Sequence, residues 1–223
     1  MKPDIRVYGI LDPAATPGAD LPSLARLAVK GGATLLQYRD KHADGRPMVE
    51  RARAILTALE GTGVPLLIND RVDVALAAHA QGVHLGQTDI APCDARAMLG
   101  DTTIIGRSLS GEAHIRALPS EPVDYACIGG VFPTVNKGDA GEPIGVEGLA
   151  RLLALARSLA ITMPIGAIAG INEVNAAKVI TAGADGIAVI GAIFSRPDPQ
   201  EAAKGLRRIV DGALALRDER PAS

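Results

Sequence analysis

The sequence predicts an α/β fold, a (β/α)8 TIM barrel in a single domain, on three observations. A short aliphatic run, a polar knot and a segment of helical periodicity recur eight times along the chain. The aliphatic runs are apolar at both alternating positions, as in strands buried on both faces. The length of 223 residues suits one such barrel, which runs to about 250 residues. An open doubly wound sheet would need a topological switch and usually fewer strands.

The elements follow in order. Residues 5–11 read as the first strand and 21–30 as the first helix. The second strand is 33–38, followed by a helix over 47–60 with Glu50, Arg51 and Arg53 on one side. The third pair is 65–68 and 71–80, the fourth 83–85 and 92–99, the fifth 103–106 and 112–118. The sixth is 125–128 and 146–159, the seventh 164–168 and 173–182, and the eighth 186–190 and 199–216. Gly31, Gly32, Gly61, Gly82, Gly100 and Gly183 stand where helices end, placed for left-handed caps. No composition break divides the chain, so 1–223 reads as one domain with a polar, frayed tail over 217–223.

Composition narrows the function classes. A net charge of −2 excludes a nucleic-acid binder that works by bulk charge, though not a local basic pocket. Aromatic residues make up 2% and tryptophan is absent, so the core must be aliphatic. Cys93 and Cys127 have neither CxxC spacing nor disulfide-scaffold density and read as free thiols in a reducing compartment. The N-terminus lacks a signal-peptide profile and no apolar run reaches a membrane span. The expectation is a cytoplasmic protein with neither nucleic-acid nor membrane partners. Self-association into a homo-oligomer is left open.

A barrel of this kind builds its active site from the loops after its strands. After the second strand come Gln37, Tyr38, Arg39, Asp40 and Lys41. Alternation puts Gln37, Arg39 and Lys41 on one side, where two cations and an amide suit a polyphosphate. The competing reading is a solvated strand end with Asp40 paired internally. After the third strand come Asn69 and Asp70, and after the fourth Asp89. Asp70 also fits a helix N-cap and Asp89 a loop residue. Together, on neighbouring strands opposite a cationic cluster, the two carboxylates fit Mg²⁺ held with substrate phosphates.

Ser108 follows the fifth strand as a substrate contact or a turn residue. The longest loop follows the sixth strand and carries Thr134, Val135, Asn136 and Lys137. A long loop at this face is commonly a lid or binding loop. Gly170 follows the seventh strand, and Ile190 and Gly191 end the eighth, where backbone N–H groups commonly cradle a monophosphate. His42, His79, His84 and His114 lack zinc-like spacing, His84 reading as a packed core residue. Protein nucleophile motifs are not recognisable. The pattern is two anion sites, one metal-assisted for a diphosphate and one backbone-lined for a monophosphate.

Four motifs in this order resemble the thiamine-phosphate synthase family. They are Gln37-x-Arg39-x-Lys41, Asn69-Asp70-Arg71-Val72-Asp73, Gly82-Val83-His84-Leu85-Gly86-Gln87-x-Asp89, and Phe132-Pro133-Thr134-x-Asn136-Lys137. The resemblance covers nearly the whole chain. It implies an enzyme, a transferase that joins 4-amino-2-methyl-5-hydroxymethylpyrimidine diphosphate to a thiazole phosphate with release of diphosphate. It implies Asp70 and Asp89 as Mg²⁺ ligands and Gln37, Arg39, Lys41, Asn69, Ser108 and Lys137 around the pyrimidine diphosphate. Arg39, Lys41, Ser108 and Lys137 are the candidate catalytic groups, and Tyr38 and Asp40 are further candidate substrate contacts in the same segment. It implies Thr134, Val135, Asn136, Gly170, Ile190 and Gly191 around the thiazole phosphate. The chain departs from the family pattern at Asn136, where a second Thr is usual, at Gly191, where Ser is usual, and at Ala169, where Gly is usual. Two other readings stay open: a thiazole tautomerase, which needs no diphosphate site, and a non-catalytic binder of thiamine-precursor phosphates.

Overall fold

A computed structural model describes residues 2–134 and 142–219. Eight strands form it: β1 (Val7–Leu11), β2 (Leu35–Tyr38), β3 (Leu66–Asn69), β4 (Gly82–Leu85), β5 (Ile104–Leu109), β6 (Tyr125–Ile128), β7 (Ile165–Ile168) and β8 (Ile187–Val189). They close a barrel in sequence order. Every neighbouring pair is parallel, and β8 returns to β1 with Val7 beside Ile187 and Gly9 beside Val189. The helices are α1 (Leu21–Lys30), α2 (Gly45–Leu59), α3 (Val72–Ala78), α4 (Pro92–Leu99), α5 (Glu112–Ala117), α6 (Gly145–Ser158), α7 (Ala176–Thr181), α8 (Gly191–Phe194) and α9 (Pro199–Asp218). The chain is therefore the expected (β/α)8 barrel.

Strand periodicity divides the core in two. Tyr8, Ile10, Leu35, Leu67, Tyr125, Cys127 and Ala188 fill the barrel interior. Val7, Leu11, Leu36, Tyr38, Leu66, Ile68, Val83 and Leu85 point outward beneath the helices. Each fully buried aliphatic side chain contributes about 1.5–3 kcal/mol. With few aromatics, the interior depends on small residues beside large ones: a Cβ at Gly106 would collide with the Tyr125 ring. Helix starts are fixed locally. The Asp20 carboxylate accepts from Ser23 N at 3.2 Å, and Asp198 accepts from Gln200 N and Glu201 N at 3.0 Å each. α9 spans the β1–β8 seam, where Arg6 pairs with Asp211 at 3.0 Å and Arg217 donates to the Ala184 carbonyl at 2.8 Å.

Some boundaries differ from expectation. β1 begins at Val7 rather than at residue 5. β5 runs to Leu109, so Arg107 and Ser108 lie within the strand rather than after it. α7 starts at Ala176 because Asn172 and Asn175 hold a turn: Asn175 Oδ1 accepts from Asn172 N at 2.8 Å and Asn172 Oδ1 from Val174 N at 2.9 Å. Gly82 caps no helix. It opens β4, where a Cβ would collide with the Ile104 carbonyl, and His79 takes the left-handed position after α3. Gly31 is right-handed, with φ −77°. The four-residue α8 after β8 was not anticipated.

Candidate active site

The C-terminal ends of the strands gather the polar residues. Asp12 follows β1 and is 4% exposed. Its carboxylate pairs with the Arg39 guanidinium and accepts from Ala14 N at 2.9 Å. Alternation along β2 then separates the next residues. Gln37 points into the barrel and donates to the Tyr8 hydroxyl. Tyr38 and Asp40 turn to the helix side, where the Tyr38 hydroxyl donates to Asp40 at 3.1 Å and Arg51 pairs with Asp40 at 2.7 Å. Asp40 also accepts from His42 N and Ala43 N at 3.0 Å each. Burial pushes Asp40 upward, but these donors outweigh it and hold the carboxyl below its usual range. Arg39 and Lys41 are thus brought to the mouth, and the side chains of Tyr38 and Asp40 are not.

Lys41 reaches β3 and pairs with Asp70. Asp70 is left-handed, with φ +60°, and its N–H donates to the His84 carbonyl at 2.9 Å. It caps no helix; Arg71 stands at the N-cap of α3. Burial and the adjacent Asp89 raise the Asp70 carboxyl above its ordinary value, with Lys41 opposing them. Asp70 and the adjacent Asp89 form a hard-oxygen donor pair that a divalent cation would complete. Among the described residues there is no cluster of three or more His, Cys, Asp or Glu able to hold a metal ion. Further ligands would come from substrate or water.

The loop bearing Asp89 is tied down at several points. Asp89 accepts from Gly86 N at 2.6 Å. Arg107, pointing outward from β5, donates to the Gly86 carbonyl and, at 3.2 Å, to Gln87 Oε1. Its Nε faces Glu121 at 3.3 Å. Gln87 donates to the Ser108 carbonyl at 2.5 Å. Ser108, pointing inward, meets His84 Nε2 at 2.9 Å. His84 lies in the interior as expected, but as a hydrogen-bonded member, with Nδ1 2.7 Å from the Tyr125 hydroxyl. Burial pushes its imidazole down to about 4. Asn69, buried at the end of β3, completes this half.

The other half lies at β6–β8. Thr134 is described; Val135, Asn136 and Lys137 lie outside the described residues. Val131 N donates to the Ile168 carbonyl at 3.2 Å and Phe132 N to the Ala169 carbonyl at 3.1 Å, joining the loops after β6 and β7. Ala169 and Gly170 are both left-handed, with φ +89° and +64°. A Cβ on Gly170 would lie 2.5 Å from the Pro133 carbonyl oxygen. Ile190 and Gly191 open α8, and the first N–H groups of a helix have no partner within it.

Sequence reasoning missed Asp12 and Arg107. Asp12 had a readable signal, a carboxylate directly after a strand like Asp70. Arg107 had none, because its partners come from Gly86, Gln87 and Glu121.

Comparison with known proteins agrees with this geometry. The family model "Thiamine monophosphate synthase" matches residues 7–193. A thiamine-phosphate synthase of Agrobacterium fabrum is 50% identical over 216 residues, covering 97% of this chain and 98% of the relative. One from Chloroflexus aurantiacus is 41% identical over 207 residues, covering 93% of each. The solved thiamine phosphate pyrophosphorylase from Pyrococcus furiosus superposes with a TM-score of 0.83 at 35% identity, covering 96% of this chain and 98% of that one. By sequence along nearly its whole length and by fold, the chain belongs to the thiamine monophosphate synthase family.

Proposed function

We propose that this chain joins an aminopyrimidine-methyl diphosphate to a thiazole phosphate, giving thiamine phosphate and diphosphate. The observation that carries the reading is the Asp70–Asp89 pair facing Lys41, with Arg39 held nearby by Asp12. When bound by Asp70 and Asp89, Mg²⁺ would supply charge neutralisation for the departing diphosphate. Arg39 and Lys41 supply the same from the protein, with Lys137 of the loop after β6 as a third cation. The C–O bond at the pyrimidine methylene breaks and the diphosphate leaves with the electron pair. The electron-rich aminopyrimidine spreads the resulting positive charge, and the thiazole nitrogen lone pair forms the new C–N bond. The protein positions the two rings and needs no nucleophile of its own.

Gln37, Asn69 and Ser108 line the pyrimidine half. Thr134, Asn136 and the backbone at Gly170, Ile190 and Gly191 hold the thiazole phosphate, with α8 presenting its first N–H groups. No helix among the described residues is long and apolar enough to cross a membrane, and the free Cys93 and Cys127 fit a cytoplasmic enzyme.

A tautomerase needs no diphosphate site, and the paired carboxylates favour the synthase. Incubating purified protein with both substrates and Mg²⁺ tests the reading: thiamine phosphate and diphosphate are expected in equal amounts. Absence of product refutes it.

A further inference from the structure

Between Gln37 on β2 and Ser108 on β5 the barrel interior holds an unbroken line of hydrogen bonds. Gln37 Nε2 meets the Tyr8 hydroxyl. The Tyr8 and Tyr125 hydroxyls are 2.9 Å apart, Tyr125 lies 2.7 Å from His84 Nδ1, and His84 Nε2 lies 2.9 Å from Ser108 Oγ. Tyr8, Tyr125 and His84 are all buried. The tyrosine rings pack edge to face at 5.8 Å.

Counting protons leaves two complete arrangements. Each phenol has one proton and a neutral imidazole has one N–H. In the first, Gln37 donates to Tyr8, Tyr8 to Tyr125, Tyr125 to Nδ1, and Nε2–H to Ser108. Ser108 then turns its own proton to the mouth, and Gln37 offers a carbonyl. In the second, the Gln37 amide is turned over and every bond reverses. Ser108 then offers only lone pairs and Gln37 an N–H. Any mixture leaves one of these buried groups without a partner in the line, which is strongly disfavoured. Heavy-atom distances are the same in both arrangements, and the Nε2–H tautomer that a neutral histidine ordinarily favours selects the first, with Ser108 the donor.

We propose that Tyr8, Tyr125 and His84 are positioning residues that couple the polarity of Gln37 to that of Ser108, so that a Ser108 proton turned to the mouth goes with a Gln37 carbonyl there, and a Gln37 N–H with Ser108 lone pairs. This matches a ring edge that sets an amino N–H beside a ring nitrogen, as an aminopyrimidine has. The proposal rests on the synthase reading for the identity of that ring, but the coupling itself does not.

The test is nuclear magnetic resonance on the substrate-free full chain with ¹⁵N-labelled histidine and glutamine. The native protein carries the His84 ring proton on Nε2. Ser108→Ala moves it to Nδ1 and shifts the Gln37 side-chain amide resonances at the far end of the line. Tyr125→Phe keeps the ring and removes the oxygen, so adding Ser108→Ala to it leaves the Gln37 resonances unmoved. Tyr8→Phe cuts the line at a second point and replaces Tyr125→Phe if that variant does not fold. Gln37 resonances that ignore Ser108→Ala, or follow it equally without the tyrosine oxygen, overturn the coupling. In the kinetic arm, Tyr125→Phe lowers kcat/KM for the pyrimidine diphosphate about tenfold and leaves KM for the thiazole phosphate unchanged. A uniform loss for both substrates overturns the positioning role. The resonance arm contains no substrate, so its failure is distinct from failure of the synthase assay.

Discussion

Ala169→Gly stabilises the protein, by a margin that the backbone supplies. Ala169 is held at φ +89°, where L-residues rarely sit. The left-handed region costs an L-residue about 1–2 kcal/mol. Glycine relieves that strain but adds about 0.5–1 kcal/mol of chain entropy to the unfolded state. The balance is a gain of about 0.5–1 kcal/mol. In a chain of this size 1 kcal/mol moves the midpoint about 2–4 °C, so the variant melts about 1–4 °C higher. The neighbouring Gly170→Ala has the opposite sign. It adds left-handed strain and sets a Cβ 2.5 Å from the Pro133 oxygen and 2.6 Å from Phe132 Cβ. Strain and displacement together cost about 3 kcal/mol, a fall of about 6–12 °C. Circular dichroism melts of both variants decide the matter. A lower midpoint for Ala169→Gly, or an unchanged one for Gly170→Ala, refutes the reasoning.

Four further outcomes follow. Asp89→Ala lowers turnover about 100-fold, while stability falls only about 1 kcal/mol from the lost acceptor of Gly86 N–H; a normal rate at saturating Mg²⁺ removes Asp89 from the ligand set. Asp12→Asn removes the anion that orients Arg39 and raises KM for the pyrimidine diphosphate about tenfold, checked against an unchanged KM for the thiazole phosphate. Asp40 is held below its ordinary value, so its contribution of about 1–2 kcal/mol is present above pH 4 and is lost as pH falls through the folded value. The stability gap between wild type and Asp40→Asn therefore narrows in acid, as urea titrations at pH 7 and pH 3 will show. Burial pushes the Cys127 thiol up to about 12, whereas Cys93 is exposed; a thiol reagent at neutral pH titrates one group in the native protein and two in denaturant.

The fold was legible because eight aliphatic runs separated by helical segments admit few other closures. What escaped depended on length or on distant partners. Four residues are too few to show helical periodicity, so α8 was invisible. Arg107 and Ser108 look like a loop because both are polar, yet one finds Glu121 outside the barrel and the other His84 within. His84 reads as an ordinary core residue until strands β1, β5 and β6 are brought around it. Asp70 carried two equal readings in sequence, and its left-handed backbone, pairing with Lys41 and closeness to Asp89 decide against the cap.

The β1–β8 seam governs how the barrel can be made. β1 leaves the ribosome well before β8, yet each is the other's partner. One edge of the growing sheet stays open while the residues between them are synthesised, roughly 10–40 s at ordinary elongation rates. Pairings of such long sequence separation form late because loop closure must precede any contact. Completion of the barrel waits on β8, and until then the open edge is exposed to other chains.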